Sequence, residues 1–333
     1  MKTFAAATLA AIASAKALDE NNFKFVKFIG EHSKSYADIE EYNLRFNNFV
    51  AIDQAINELN ETETTSFHSH NYMSDYTHQE YSARLGLKNM ARPERPSSEF
   101  IFTADPSTVG SLPTEVDWTT VTPAVVNPVK DQGQCGSCWA FSAVAAMESA
   151  NAIHNGTLYS LSEQNLVSCS FLNGNLGCNG GLYNYAWNYA HNKPIESEAD
   201  YPYTSGTTQK SGACNYQSAK GLMGVSFHTV VATDNTSIMT ALVAQPQSVS
   251  IDAESFYFQT YKSGVLTNGT KCGTTLDHAV TAVGYGVDAT AGQYYLVRNS
   301  WGSSWGLGGY VKIGMAPAPG ICGINSDVEY PTI

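Results

Sequence analysis

The chain has 333 residues, enough for more than one domain, and it carries 30 acidic against 18 basic residues, a formal net charge of −12 at pH 7. Nucleic-acid binding requires basic stripes on the surface, which a chain this acidic does not favour, so we predict no nucleic-acid partner. The seven cysteines are an odd number, so six can pair in disulfides while one remains free.

The first 17 residues are typical of a cleaved signal peptide. Lys2 precedes an apolar stretch from Phe4 to Ala13, and Ala15-Lys16-Ala17 has the A-x-A form of a cleavage site. The stretch is too short for a permanent membrane anchor, and no later run of eighteen or more apolar residues follows. We therefore expect entry into the secretory pathway, where disulfides form, and no membrane span. Four Asn-x-Ser/Thr sequons, each a weak signal alone, begin at Asn60, Asn155, Asn235 and Asn268.

Residues 18–110 form a first unit without cysteine or tryptophan. A helix is predicted from Glu40 to about Leu59, because six residues recur at spacings of three or four and so share one face: Glu41, Arg45, Phe49, Ile52, Ile56 and Asn60. Such an amphipathic helix needs a partner surface. The stretch from Lys88 to Gly110 is rich in proline, serine and charge, which predicts an extended linker.

Cys138 is the most informative residue of the second unit. It follows Asp131-Gln132-Gly133-Gln134-Cys135-Gly136-Ser137 and opens an apolar run that predicts a helix. A thiol at a helix N-terminus faces the positive end of the dipole, which favours the thiolate and predicts a lowered pKa. Alone, the CxxC pair also fits a disulfide, a redox pair or half of a zinc site. No second CxxC or HxxxH stands at metal-ligand spacing, so we predict no metal.

Two later motifs supply what cysteine catalysis requires, a base and a group that orients it. His278 opens an apolar, β-branched run ending in glycines, which predicts a buried strand, and it lies 140 positions after Cys138. A second alternating strand delivers Asn299, whose amide can hold an imidazole ring in position, with Trp301 two residues further on.

These motifs together resemble the papain and cathepsin cysteine proteases, whose local mark is C-G-[SA]-C-[WY]. The resemblance implies that Cys138 is the nucleophile, His278 the base and Asn299 its orienting partner. Gln132 matches the family's oxyanion glutamine. Trp301 would shield the His–Asn hydrogen bond from water.

The first unit resembles the propeptide of cathepsin L-like enzymes. The six-residue helix pattern matches the ERFNIN motif, with Ile52 in place of its first asparagine. A second propeptide motif, G-x-N-x-F-x-D, matches residues 69–75 with Ser69 and Met73 substituted. We therefore expect a signal peptide at 1–17, an inhibitory propeptide at 18–110 that crosses the cleft in reverse, and a mature peptidase at 111–333, with the cleaved bond between Val109 and Pro113.

The fold class that the resemblance implies is α+β. A helical lobe would present Cys138, a β-barrel-like lobe would present His278 and Asn299, and the propeptide would precede both. Sequence alone leaves fifteen ways to pair six cysteines. The resemblance implies one of them: Cys135 with Cys178, Cys169 with Cys214, and Cys272 with Cys322.

The resemblance also implies a substrate cleft whose main specificity pocket, S2, has Asp327 at its base. An acid there predicts acceptance of arginine or lysine beside apolar side chains. The expected substrate-binding residues are Gly180, Gly181, Leu182, Tyr183, Ser250, Leu276, Asp277, Trp301 and Asp327.

The function that follows is a monomeric cysteine endopeptidase without cofactor, made as an acid-activated zymogen. Its expected partners are protein and peptide substrates, its own propeptide and cystatin-type inhibitors, in a lysosome, an acidic vacuole or outside the cell. Three alternatives remain at this point: a thiol–disulfide oxidoreductase, a catalytically inactive relative that binds proteins, and a peptide ligase working through the same acyl-enzyme.

Overall fold

The computed structural model describes residues 20–87, 90 and 101–333. The predicted signal peptide at 1–17 lies outside the described residues, as do residues 88–89 and 91–100 of the linker predicted from Lys88 to Gly110.

The α-helices of the described residues are α1 (Glu20–Glu31), α2 (Ile39–Thr62), α3 (His78–Ser82), α4 (Cys138–Asn155), α5 (Glu163–Cys169), α6 (Tyr183–Asn192), α7 (Ser205–Thr208), α8 (Asn235–Ala244), α9 (Phe256–Gln259) and α10 (Gly269–Cys272). The strands are β1 (Ser66–His68), β2 (Ile101–Phe102), β3 (Val116–Asp117), β4 (Ile195–Glu196), β5 (Gly221–Met223), β6 (Phe227–Val231), β7 (Gln247–Ile251), β8 (Tyr261–Leu266), β9 (His278–Asp288), β10 (Gly292–Arg298), β11 (Tyr310–Gly314) and β12 (Val328–Thr332).

Helix α2 is the amphipathic helix predicted from the six-residue pattern, and it runs three residues beyond the predicted end. Asp38 caps its N-terminus by accepting hydrogen bonds from the backbone N–H groups of residues 40 and 41. Phe49, Ile52 and Ile56 are buried along one face. Phe49 also packs against the aromatic residues of α1, which joins the first two helices in a small core of their own.

Helix α4 is the centre of the helical lobe. Every residue from Cys138 to Ala152 is buried, as expected for a helix that is covered on all sides. The helix ends at Gly156, whose left-handed φ of 74° suits glycine. The apolar core around α4 includes Trp139, Leu166 and Trp187.

The second lobe is built on a large, mostly antiparallel sheet with the strand order β1-β8-β11-β10-β9-β7-β12-β6-β2. Strands β9 and β10 form an antiparallel pair in which Arg298 lies opposite Thr281. The start of β9 and the end of β10 therefore meet at one edge, which brings His278 and Asn299 together although 21 positions separate them. A second core, which includes Val249, Tyr295 and Val311, fills this lobe.

The first unit docks on both lobes. Strand β1 extends the large sheet by antiparallel pairing with β8, and residues 81–87 continue toward the N-terminus of α4. The predicted fold class, two lobes of mixed helix and sheet preceded by a helical propeptide, is confirmed. Among the residues described, no helix is long and apolar enough to cross a bilayer.

Candidate active site

Cys138 is the first residue of α4, fully buried, and the cysteine without a disulfide partner. The other six form the pairs Cys135–Cys178, Cys169–Cys214 and Cys272–Cys322, the pairing that the resemblance implies. Because Cys135 is bonded to Cys178, the CxxC motif holds a single thiol rather than a redox dithiol.

His278, Asn299 and Trp301 lie together at the edge of β9 and β10. The Asn299 Oδ1 atom accepts a hydrogen bond from His278 Nε2 at 2.8 Å, and all three residues are buried. The rings of His278 and Trp301 lie 4.8 Å apart between centroids, so the indole covers the imidazole. Asn299 Oδ1 also accepts from the Ser300 N–H, which holds the amide in place. His278 Nδ1, the remaining ring nitrogen, is buried with no hydrogen-bond partner among the described residues.

The Gln132 side chain is held in one orientation by its neighbours. Its Oε1 atom accepts from Ser300 Oγ at 2.7 Å. Its Nε2 group donates to the backbone oxygens of Cys135 and Arg84, at 2.8 and 2.7 Å. Arg84 belongs to the first unit. A backbone carbonyl of the propeptide therefore accepts a hydrogen bond from the Gln132 amide, the group that the resemblance implies as a donor to the oxyanion of the reaction.

The propeptide segment Arg84–Leu87 crosses directly over Cys138. The Gly86 N–H donates to Cys138 Sγ at 3.3 Å, and the Gly86 oxygen accepts from the Gly181 N–H at 3.0 Å. The Leu87 N–H donates to the Asp277 backbone oxygen at 2.9 Å. The segment therefore occupies the backbone groups that the resemblance assigns to substrate binding.

The expected lowering of the Cys138 pKa is wrong for this covered state. Burial raises the pKa of the thiol to about 11, although backbone N–H groups of Ala279 and Gly86 act in the opposite direction. Burial lowers the pKa of His278 to about 3, against a smaller raising effect of Asn299. The helix dipole is present, but the desolvation of a thiolate beneath Gly86 outweighs it, and both side chains are neutral.

Ser250, Asp327 and Tyr183 lie together where the resemblance puts the S2 pocket. Ser250 Oγ donates to Asp327 Oδ2 at 2.7 Å, and the Tyr183 hydroxyl donates to the Asp327 backbone oxygen at 3.1 Å. Leu182 and Tyr183 belong to the apolar cluster of the helical lobe, and Leu87 of the propeptide joins that cluster with 2 % of its surface exposed.

The remaining predicted cleft residues have defined neighbours. The Asp277 side chain accepts from the Ala253 N–H at 2.9 Å, while its backbone oxygen accepts from Leu87 of the propeptide segment. Leu276 is half-buried and packs against Gly323. A side chain at position 323 would clash with it, because its Cβ atom would lie 2.7 Å from Leu276 Cδ2. Gly180 faces the Gly86 carbonyl, which a side chain at position 180 would displace.

Sequence reasoning missed three residues that shape the site. Ser300 orients Gln132, and Asn175 orients the cleft wall by accepting from the Leu182 N–H at 2.8 Å. Arg84 is 1 % exposed, lies over the rings of Tyr72 and Trp301, and contacts Asp131 at 3.0 Å. The sequence does contain one indication of the segment that crosses Cys138. A single glycine lies between two leucines in Leu85-Gly86-Leu87, and glycine permits close approach of two backbones.

Both units of the chain are similar to known proteins. Residues 112–332 match the family model described as papain family cysteine protease, and residues 25–81 match the cathepsin propeptide inhibitor domain. The chain is 38% identical over 313 residues to digestive cysteine proteinase 3 of Homarus americanus, covering 92% of this chain and 93% of that protein. It is 45% identical over 268 residues to Cysteine protease 1 of Oryza sativa subsp. japonica. That match covers 78% of this chain and 52% of the rice protein.

The solved structure of digestive procathepsin L 3 from Tenebrio molitor larval midgut is similar along nearly the whole length. Its TM-score is 0.81 at 33% identity, with 95% of this chain and 100% of that chain covered. The chain therefore belongs to the papain family of cysteine proteases, as a cysteine peptidase that carries its own propeptide inhibitor domain.

Proposed function

We propose that the chain is the zymogen of a cysteine endopeptidase in which Cys138, His278, Asn299 and Gln132 perform the reaction. After propeptide removal, the Cys138 thiolate, paired with the His278 imidazolium, attacks the peptide carbonyl. The Gln132 amide and the Cys138 backbone N–H stabilise the oxyanion, and His278 protonates the leaving amine. Water then hydrolyses the thioester, with His278 as base.

The observation that supports this proposal most strongly is the path of Arg84–Leu87. One short backbone segment contacts the Cys138 thiol, the Gln132 amide, the Gly181 N–H and the Asp277 carbonyl. A groove that binds an extended backbone through its own main-chain groups, with a thiol in the middle, is suited to a polypeptide substrate.

Labelling with an epoxysuccinyl thiol inhibitor tests the proposal. The acid-treated protein should yield a labelled product about ninety residues shorter than the proprotein, and Cys138→Ala should give no label. A processed product that takes no label would overturn the assignment of Cys138 as an activated nucleophile. A label that persists in Cys138→Ala would do the same.

We also propose that Asp327 lets the S2 pocket accept arginine or lysine. The carboxylate is half-buried and bound to Ser250, and it stands close to Tyr183 beside an apolar wall, a position where a charged partner would be partly desolvated. Peptides that differ only in Phe or Arg at the P2 position test this. We expect Asp327→Ala to lower the relative kcat/KM for Arg at least about tenfold, and an unchanged ratio would contradict the proposal.

The cellular site follows from the same proposal. We propose passage through the secretory pathway and activation in an acidic compartment or outside the cell. The three disulfides support an oxidising environment.

A further inference from the structure

Four sequons are present in the chain, and the structure distinguishes them by what each asparagine amide does. We propose that Asn155 is the residue that carries an N-linked glycan in the folded zymogen, and that Asn60, Asn235 and Asn268 are unmodified. The inference concerns the secreted, folded protein and is independent of which residues catalyse the reaction.

Asn155 is open to solvent on a rigid support. It is the last residue of α4, and Asn155, Gly156 and Thr157, the complete sequon, are all exposed. Its Nδ2 group donates to Asn151 Oδ1 at 2.9 Å, one turn earlier in the same helix, so a sugar there disturbs no contact between the described elements. The left-handed turn at Gly156 ends the helix, so the attached sugar projects from a helix end rather than from a packed face.

Asn60 uses both ends of its amide to hold the propeptide together. Its Nδ2 group donates to the His68 oxygen and its Oδ1 atom accepts from the His68 N–H, both at 2.8 Å. These bonds join the end of α2 to β1, the strand that docks on the peptidase. A glycan on Nδ2 would break this clamp.

Asn268 lies in the contact between the propeptide and the peptidase. It caps α10 through the Lys271 N–H at 3.2 Å, while its Nδ2 group donates to Glu63 of the propeptide at 3.2 Å. Glu63 also binds Lys271 at 3.0 Å. A sugar at this position would stand between the two surfaces and prevent docking.

Asn235 is half-buried and engaged at its oxygen. It accepts hydrogen bonds from the Tyr295 hydroxyl at 3.0 Å and from Asn325 Nδ2 at 2.7 Å. The third residue of its sequon, Ser237, is fully buried and accepts from the Ala104 N–H at 3.0 Å. This sequon is therefore part of the packed interior around α8.

The consequence for folding follows from the order of events. In transfer, one N–H bond of Asn Nδ2 is replaced by a bond to the anomeric carbon of a lipid-linked oligosaccharide. The lipid pyrophosphate leaves with the electron pair of the broken C–O bond, and the proton goes to a base. Because transfer precedes folding, chains modified at Asn60 or Asn268 lose contacts that the zymogen needs, whereas chains modified at Asn155 fold normally.

The position of Asn155 also keeps the glycan away from the cleft. Cys138 and Asn155 are the two ends of the 18-residue helix α4. At about 1.5 Å of rise per residue they stand roughly 25 Å apart. The sugar would therefore affect neither substrate access nor the crossing segment Arg84–Leu87.

The test uses the full chain secreted from a eukaryotic host. The folded zymogen is treated with peptide-N-glycosidase in heavy-oxygen water, which marks each formerly glycosylated asparagine as labelled aspartate for peptide mass spectrometry. We expect the label at Asn155 and at no other sequon. Thr157→Ala should abolish the mass shift while Thr157→Ser, a matched control that keeps the sequon, should retain it.

Two results would overturn the inference. One is a folded zymogen with label at Asn60, Asn235 or Asn268, and the other is a secreted wild-type protein with no label at Asn155. Circular dichroism and the thermal unfolding midpoint of the Thr157→Ala variant report that it has folded without using its activity, so a failure of the glycan assignment stays distinct from a failure of the proposed protease chemistry.

Discussion

At the scale of single residues, burial decides the chemical state of the site. Cys138 and His278 are both fully buried beneath the propeptide, and desolvation keeps each in its neutral form. Two orienting contacts of the site are nevertheless formed, since Asn299 binds His278 and Ser300 binds Gln132. The site is therefore assembled in the zymogen but uncharged.

Replacing Gln132 should lower the rate of the chemical step in the processed enzyme. Loss of one oxyanion donor typically reduces kcat by about 10²–10³-fold with little change in KM, and we expect Gln132→Ala to fall in this range. Steady-state kinetics on a small peptide measure it. Gln134→Ala, two positions away, is the matched control and should keep nearly full kcat, and equal effects at both positions would argue against a role for Gln132 in the transition state.

His68 should favour propeptide release in acid. The imidazole is fully buried between Ser66 and Thr260, and burial lowers its pKa from the usual 6.5 to about 4, while Glu63 and Lys271 nearby exert smaller, opposing effects. The docked form is thus the neutral one. Docking is at full strength above about pH 6.5 and weakens by up to about tenfold per pH unit as the pH falls toward 4.

His68→Gln removes this titration while retaining a side chain that can hydrogen-bond to both hydroxyl groups. We expect the pH of half-maximal processing to fall by about half a unit to one unit. Processing is followed on gels across a pH series, with the exposed His154→Gln as control. An unchanged midpoint in His68→Gln would show that other groups set the pH response.

At the scale of elements, the backbone of residues 84–87 fits between the two lobes and covers the Cys138 thiol. A Cβ atom added at Gly86 would clash with the Gly136 carbonyl group, because it would lie 2.7 Å from the carbonyl carbon. It would also lie 3.2 Å from Cys138 Sγ. Both backbones are held by hydrogen bonds, since the Gly136 N–H donates to the Cys178 oxygen and the Gly86 oxygen accepts from the Gly181 N–H. The absence of a side chain at Gly86 is therefore what lets the segment seal the thiol.

Gly86→Ala should yield a zymogen that is active before processing. We expect hydrolysis of a small peptide and labelling of Cys138 at neutral pH, where the wild type stays latent. Gly30→Ala in α1 is the matched control, because nothing lies within 4 Å of the position that its Cβ atom would take and the change should slightly stabilise the helix. A latent Gly86→Ala zymogen would contradict the proposed role of the close contact.

At the scale of the whole molecule, an ion pair between the two units and an ion pair within the propeptide should both respond to pH. Burial is the largest single effect and would raise the pKa of Glu63 and Glu80. Several hydrogen bonds and charges together, led by Lys271 at Glu63 and by Arg45 at Glu80, hold both pKa values below the usual range. A carboxyl group with a lowered pKa stabilises the docked state above its free pKa and loses that contribution as the pH falls through the docked value. Protonation of Glu63, which binds Lys271 of the peptidase, should therefore weaken docking in acid together with that of His68. Protonation of Glu80, whose partner Arg45 also belongs to the propeptide, should weaken the fold of the propeptide itself.

Removal of the propeptide should make the Cys138 thiol more reactive at neutral pH. With a pKa of about 11, the thiol of the zymogen should react with iodoacetamide slowly at neutral pH, with a rate that rises about tenfold per pH unit. The processed enzyme should react at least about 100-fold faster at pH 7, because the thiol is then exposed at the helix N-terminus. Mass spectrometry of the Cys138 peptide measures both rates, and equal rates before and after processing would contradict a burial-controlled pKa.

Local patterns in the sequence determined much of this protein. The periodicity of residues 41–60 predicted α2, and the motifs around Cys138, His278 and Asn299 predicted a helix start, a strand start and a strand end, each set by neighbouring residues. The protonation state of the site, the crossing of Arg84–Leu87 and the contact of Ser250 with Asp327 were decided by the tertiary structure alone. Each depends on desolvation or contact between residues far apart in the chain, which no local pattern records.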